Sequence, residues 1–363
     1  MTQITSTAPG GRLRDASAAT PVRLGAQFGR YPGQEEQPLE DSVRAAILDG
    51  FGLVVLNSIA PELAAGEHEQ LKRAAELAAD HGVELQLGLG SAGPFGGAHH
   101  TRHSLGAALA HGLELGIREF FVHTRSEREG TWEGGRFLDH SAQLRLIRSN
   151  LESLTAQASG AGARINLKTH EDLASNEVQA LVESLDPAVF SIGLDVANLV
   201  VRGEDPQAAT QRLALMIRMT HLEDLVLFPV EHGYRRRLRP IGDGVLDWTP
   251  LLSTLLDAGV RDFTLEQHRG KFDTPVFERS WFEHEPHLDA ADLGQLSRLG
   301  VLTADGVAQG RIPALTDWDE DPSPAERRRQ LLRSATALRT ALAALGASVT
   351  DPAALLSREE GIQ

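Results

Sequence analysis

The run Arg164-Ile165-Asn166-Leu167-Lys168-Thr169-His170-Glu171-Asp172 decides the fold. Asn166, Lys168 and His170 alternate with Ile165, Leu167 and Thr169. A period of two puts the polar set on one face of a strand and the mainly apolar set on the other. Three polar side chains pointing the same way at a strand end are costly to bury unless they meet partners or ligands. After a helical segment a second such run follows, Phe190-Ser191-Ile192-Gly193-Leu194-Asp195-Val196-Ala197-Asn198. Chemistry is expected where these two strand ends meet.

Working outward, strand-like apolar runs recur at 22–28, 52–56, 83–89, 117–123, 164–170 and 191–198, within 216–227, and at 262–268. Helical patterns separate them at 39–48, 67–81, 104–115, 140–158, 176–185, 206–215 and 248–258. Several helices end in glycine before the next strand, as at Gly82, Gly116 and Gly259, the residue type that caps a helix C-terminus. Eight strands alternating with helices over about 250 residues is the count of an α/β protein of the (β/α)8 TIM-barrel class, whose active sites lie at the C-terminal ends of the strands. A doubly wound sheet would want a G-x-G-x-x-G loop after an early strand, and the first strand here has none. The barrel is expected over 21–272, after a flexible Thr-, Ser-, Ala- and Gly-rich leader at 1–20. From 273 the pattern changes to a helical C-terminal extension, 273–363, with a short helix near 290–299, an acidic Pro-containing linker at 317–324 and a long amphipathic helix at 325–345. This stretch is too small for a domain and is expected to pack on the barrel or on a partner, with a homo- or hetero-oligomer through it as one outcome.

The formal net charge of −15 argues against nucleic acid or an anionic membrane as the main partner, because both call for a basic surface. The chain has no cysteine, so it has no disulfide framework or thiolate chemistry, which fits a cytoplasmic setting. No apolar run approaches the length of a membrane span.

The candidate site residues gather at the late strand ends: Lys168 and His170, Asp195 and Asn198, His221, Glu223 and Asp224, and Glu266 and His268. By alternation His221 shares a face with Glu223, and Glu266 with His268. Asp, His and Glu from consecutive strands are hard O/N donors suited to Mn²⁺, Mg²⁺, Co²⁺ or Zn²⁺. Such an ion polarises a sugar carbonyl, while neighbouring Lys, His or carboxylate groups move protons on the next carbon.

With Leu194-Asp195-Val196-Ala197-Asn198, His221-Leu222-Glu223-Asp224, Gly242-Asp243-Gly244-Val245-Leu246-Asp247 and Leu265-Glu266-Gln267-His268 in this order, residues 20–270 resemble the xylose-isomerase-like TIM barrels, the sugar phosphate isomerase/epimerase superfamily. The resemblance implies a divalent metal held by Asp195, His221 and Glu266, with Glu266 doubling as acid or base. Two positions depart from it. Lys168 stands where the family's first Glu ligand is usual, and Glu223 stands where a Lys is usual. The two exchanges are expected to be linked, Glu223 either pairing with Lys168 or replacing the lost ligand. A Lys beside a metal has a depressed pKa, so neutral Lys168 is expected to act as the base next to a carbonyl. An ammonium filling the metal position itself is the alternative.

Among the rest, His123 ends the fourth strand and, with Asn198, Arg237 and Arg239, is a candidate for binding substrate. Arg235, Arg236, Arg237 and Arg239 have the plainer expectation of a solvated basic loop. His99, His100 and His103 look like a metal tract in a Gly-rich loop, most simply a rim, and Trp132 either stacks on a sugar or packs. The function expected is a sugar isomerase or epimerase with metal-assisted proton transfer next to a carbonyl of a small sugar substrate. The alternatives are a lyase or dehydratase, for example on a 3-keto-glycoside through the same enolate, and a metal-free non-catalytic barrel subunit.

Overall fold

The computed structural model of the chain describes residues 19–58, 68–94, 102–133, 135–267, 270–319, 321–350 and 352. Eight strands form the barrel: β1 (Thr20–Phe28), β2 (Leu53–Ser58), β3 (Glu84–Ser91), β4 (Glu119–His123), β5 (Arg164–Lys168), β6 (Phe190–Asp195), β7 (Ile217–His221) and β8 (Asp262–Leu265). Each of β1 to β6 pairs in parallel with the next, and β1 pairs with β8. The ring closes just past the end of β7, where Leu222 N–H donates to Thr264 O (2.8 Å) and Glu266 N–H donates to Leu222 O (3.2 Å). Parallel strands covered on both faces are apolar throughout, and all six residues of β6 are buried.

The pleat divides each strand between two cores. Val54 and Leu56 join the large outer core under the helices. Leu53 and Val55 of β2 instead meet Phe121 of β4 and Met219 of β7 in a small separate cluster. Strands that are not neighbours touch in this way only across the barrel interior. Helices start where side chains satisfy their free N–H groups: Asp139 accepts from Ala142 N, Asp205 from Gln207 N with Pro206 in the first turn, and Asp247 from Thr249 N.

Several boundaries differ from the sequence expectation. The strand expected over 164–170 ends at Lys168, and that expected over 191–198 ends at Asp195. Val196–Leu199 turns helical instead, carrying Asn198 back over Asp195. The helix expected over 140–158 divides into His140–Glu152 and Thr155–Gly160. The run 216–227 supplies two strands. After β7 the chain leaves the barrel as Asp224–Val230 and pairs antiparallel with Gly233–Arg239, which then pairs with Phe272–Thr274. The basic segment is therefore a strand and not a solvated loop. Arg236 is 1% exposed and Arg237 3%, and Arg235 faces outward onto Asp273 (2.6 Å).

The Asp-Gly turn after this hairpin is pinned by Asp224. Its carboxylate accepts from Leu225 N (2.8 Å), Gly242 N (3.0 Å), Leu246 N (3.1 Å) and Trp248 Nε1 (2.9 Å). A buried carboxylate holding several N–H donors organises backbone, and Asp224 serves the fold in this way.

Beyond the barrel, Ala290–Ala308 is a 19-residue helix, longer than the 290–299 expected. It rests on the hairpin, and Thr303 Oγ1 accepts from Leu227 N (2.9 Å). Helix Pro324–Ala344 adds Leu331, Ala335, Leu338 and Leu342 to the barrel's outer core. Ala347–Val349 then lies parallel to the start of β1, a strand the sequence expectation lacks. No helix among the described residues is long and apolar enough to cross a membrane.

Candidate functional site at the carboxyl ends of the strands

Lys168 closes β5 with its side chain inside the barrel mouth. Its ammonium lies 2.6 and 2.8 Å from the two carboxylate oxygens of Glu266, which follows β8, and 3.0 Å from Asp195 Oδ2 at the end of β6. The three side chains are nearly sealed from solvent, at 3%, 4% and 2% exposure. Burial alone would depress the Lys168 pKa. The adjoining Glu266 and Asp195 charges outweigh it and push the ammonium above its ordinary value. Lys168 is thus held charged, which corrects the expectation of a neutral lysine base. Its partner is also not Glu223: the ion pairs are with Glu266 and Asp195.

His221 ends β7 fully buried, its Nδ1 bonded to Gln27 Oε1 of β1 and 3.5 Å from Glu266 Oε2. Gln27 Nε2 in turn donates to Asn57 Oδ1 (2.9 Å). Phe121 stands edge-on to the ring, centroids 5.0 Å apart. Asn198 joins Asp195 to a residue the sequence reasoning passed over. Its Nδ2 donates to Asp195 Oδ2 (2.8 Å), and its Oδ1 accepts from Arg236 Nη1 (2.6 Å). Arg236 also stacks over Phe272 at 5.0 Å. A sequence signal for Arg236 exists: Tyr234, Arg236 and Leu238 alternate on one strand face, and Tyr234 is buried. Gln27 carries a weaker signal, as a polar residue near the end of an apolar strand.

A cleft of about 370 Å³ opens at this end of the barrel. Glu223 and Glu266 line it from the barrel, Arg237 and Arg239 from the hairpin, and Trp318 and Arg327 from the C-terminal segment. The Trp318 ring lies 5.0 Å from the Arg237 guanidinium and 5.7 Å from that of Arg239. A larger hollow of about 610 Å³ lies at the opposite end, where Arg23, Glu84 and Asp262 are already paired with one another.

His170 and His123 form a second group beside the lysine cluster. His170 contacts Asp172 (3.0 Å) and Glu171 (3.1 Å) and faces His123 at 5.3 Å. Burial, then the nearby His170 and Lys168, bring His123 down to about 3, so it is neutral at physiological pH. Trp132 is exposed, with its ring against Phe137. His268, like His99 and His100, lies outside the described residues, as does the side chain of His103.

The donors around Lys168 do not suit a divalent ion. Asp195, His221 and Glu266 do converge, but the cation between the two carboxylates is the Lys168 ammonium. Among the described residues no three His, Asp or Glu side chains are arranged to hold a metal ion.

A closed parallel barrel with its buried ionisable side chains at the strand carboxyl ends is a TIM barrel. The pattern of the family described as xylose isomerase-like TIM barrel matches residues 43–279, and the chain belongs to that family. It is 25% identical over 116 residues to the uncharacterized protein YihM of Escherichia coli K12; the match covers 32% of this chain and 36% of that protein, so it spans about a third of the relative's length. Among solved structures, D-psicose 3-epimerase with D-tagatose from Clostridium cellulolyticum H10 superposes with TM-score 0.53 at 12% identity, covering 80% of this chain and 99% of that one. The IolI protein with a binding zinc atom superposes with TM-score 0.53 at 13% identity, covering 80% and 100%. These two likenesses are of fold.

Proposed function

We propose that this chain is a sugar-processing enzyme that moves a proton on the carbon next to the carbonyl of a small keto-sugar, working in the cytoplasm as an isomerase or epimerase. The observation that carries the proposal is a pair of buried carboxylates, Glu223 after β7 and Glu266 after β8, lining one cleft at the catalytic end of the barrel. Two carboxylates facing one cleft suit general acid and base on a shared substrate. Lys168, bonded to both oxygens of Glu266, favours the carboxylate form that a general base needs. Glu223 takes the role of general acid, returning a proton to the enolate carbon. Lys168 also places positive charge near the oxygen on which negative charge develops. Arg237 and Arg239 on the cleft wall donate hydrogen bonds to substrate hydroxyls.

Incubation with ketohexoses in deuterium oxide, followed by NMR, tests this. Deuterium should enter at the carbon next to the carbonyl, and Glu223→Gln and Glu266→Gln should each slow its entry by about 100-fold or more. Exchange that both variants leave untouched would remove the proposal. The same enolate can expel a leaving group, so release of the aglycone from a 3-keto-glycoside marks the chain as a lyase instead.

A further inference from the structure

The disagreement between the donor set and a divalent ion has a specific structural cause. An ammonium has three N–H donors, and Lys168 has three carboxylate oxygens within 3.0 Å: two of Glu266 and one of Asp195. His221 approaches the same Glu266 oxygen at 3.5 Å. These groups are the Asp, His and Glu expected to bind a metal, and they are gathered around a cation supplied by the chain itself. With the side chain 3% exposed, the ammonium has no solvent to retreat into. A divalent ion entering between the carboxylates would sit against a fixed positive charge, where poor screening makes the repulsion large.

We propose that Lys168 is the resident cation of this site, standing in place of a divalent metal ion, and that removing its charge opens the position to one. Lys168→Glu would complete a set of three carboxylates and one imidazole, a hard donor set suited to Mn²⁺. Lys168→Gln removes the charge and leaves Asp195, His221 and Glu266 to bind. The proposal rests on the functional reading above only for its catalytic meaning. Cation binding is measured without substrate, so failure of the proton-exchange test leaves it standing, and its own failure leaves the carboxylate pair untouched.

The test is a Mn²⁺ titration of the chelator-stripped protein, read by loss of the free-ion EPR signal and by melting temperature. Wild type should show no equivalent of Mn²⁺ that depends on Asp195. Lys168→Glu or Lys168→Gln should bind one equivalent and gain a melting temperature that climbs with Mn²⁺ concentration. Binding of one equivalent by wild type that is lost in Asp195→Asn would overturn the proposal. So would two folded Lys168 variants that both ignore Mn²⁺. Should neither variant fold, the wild-type and Asp195→Asn titrations decide: an Asp195-dependent equivalent refutes it and its absence upholds it.

Discussion

Lys168 shows what one residue changes in a shared fold. A buried charge survives only when paired and hydrogen-bonded, and here two strands from other parts of the barrel supply the partners. Strand ends and the family resemblance single out Asp195, His221 and Glu266, and the structure brings the three together at the barrel mouth. The sequence does not say which carboxylate Lys168 reaches. That depends on barrel closure, which brings β8 across from β5, and no local pattern encodes it. Arg236 was missed because four arginines in seven residues look solvated, whereas their alternation with Tyr234 and Leu238 marks a strand. Away from the mouth, Glu177 makes a pH-dependent contribution of its own. It accepts from Arg128 (2.6 and 2.8 Å), from Ala174 N (2.8 Å) and contacts His140 (2.7 Å). Burial would raise its pKa, but His140, Arg128 and the backbone N–H lower it from 4.5 to about 2. A lowered carboxylate pKa gives stability that is full above the unfolded value and lost as pH falls through the folded one. Glu177→Gln should therefore cost roughly 3 kcal/mol at neutral pH, with the gap to wild type closing between about pH 4.5 and 2. Urea denaturation across that range measures it.

At the level of elements, the hairpin between β7 and β8 builds one wall of the barrel mouth. It carries Arg236 to Asn198 and Arg237 to the cleft, and Asp224 ties its base to the turn at Gly242. That turn tolerates no side chain at Gly244, where a Cβ would lie 2.1 Å from Asp224 Oδ1 and 2.6 Å from Leu225 O. Gly244→Ala should destabilise the protein by about 1–3 kcal/mol, read by thermal denaturation, and should weaken substrate binding through the displaced hairpin. The eight barrel strands and most helices between them were legible because hydrophobic periodicity and terminal glycines are local signals. The hairpin was not, since its two strands sit inside one apolar run and one basic run.

Across the whole molecule, the C-terminal segment belongs to the barrel in two ways. Helix Pro324–Ala344 buries its apolar residues in the outer core, and Trp318 with Arg327 walls the cleft. The change of pattern after 272 marks this stretch as an extension that packs on the barrel or on a partner, and long-range contacts place it on the barrel. The barrel is a family scaffold in which Asp195, His221 and Glu266, the residues expected from the sequence to hold a metal, gather around the Lys168 ammonium. A crystal structure grown in millimolar Mn²⁺, with anomalous data at the manganese edge, tests it most directly. The Lys168 ammonium should lie within hydrogen-bonding distance of Glu266 and Asp195 with no anomalous peak between them; a manganese peak coordinated by Asp195, His221 and Glu266, with Lys168 turned away, would contradict the assignment of Lys168 as the resident cation.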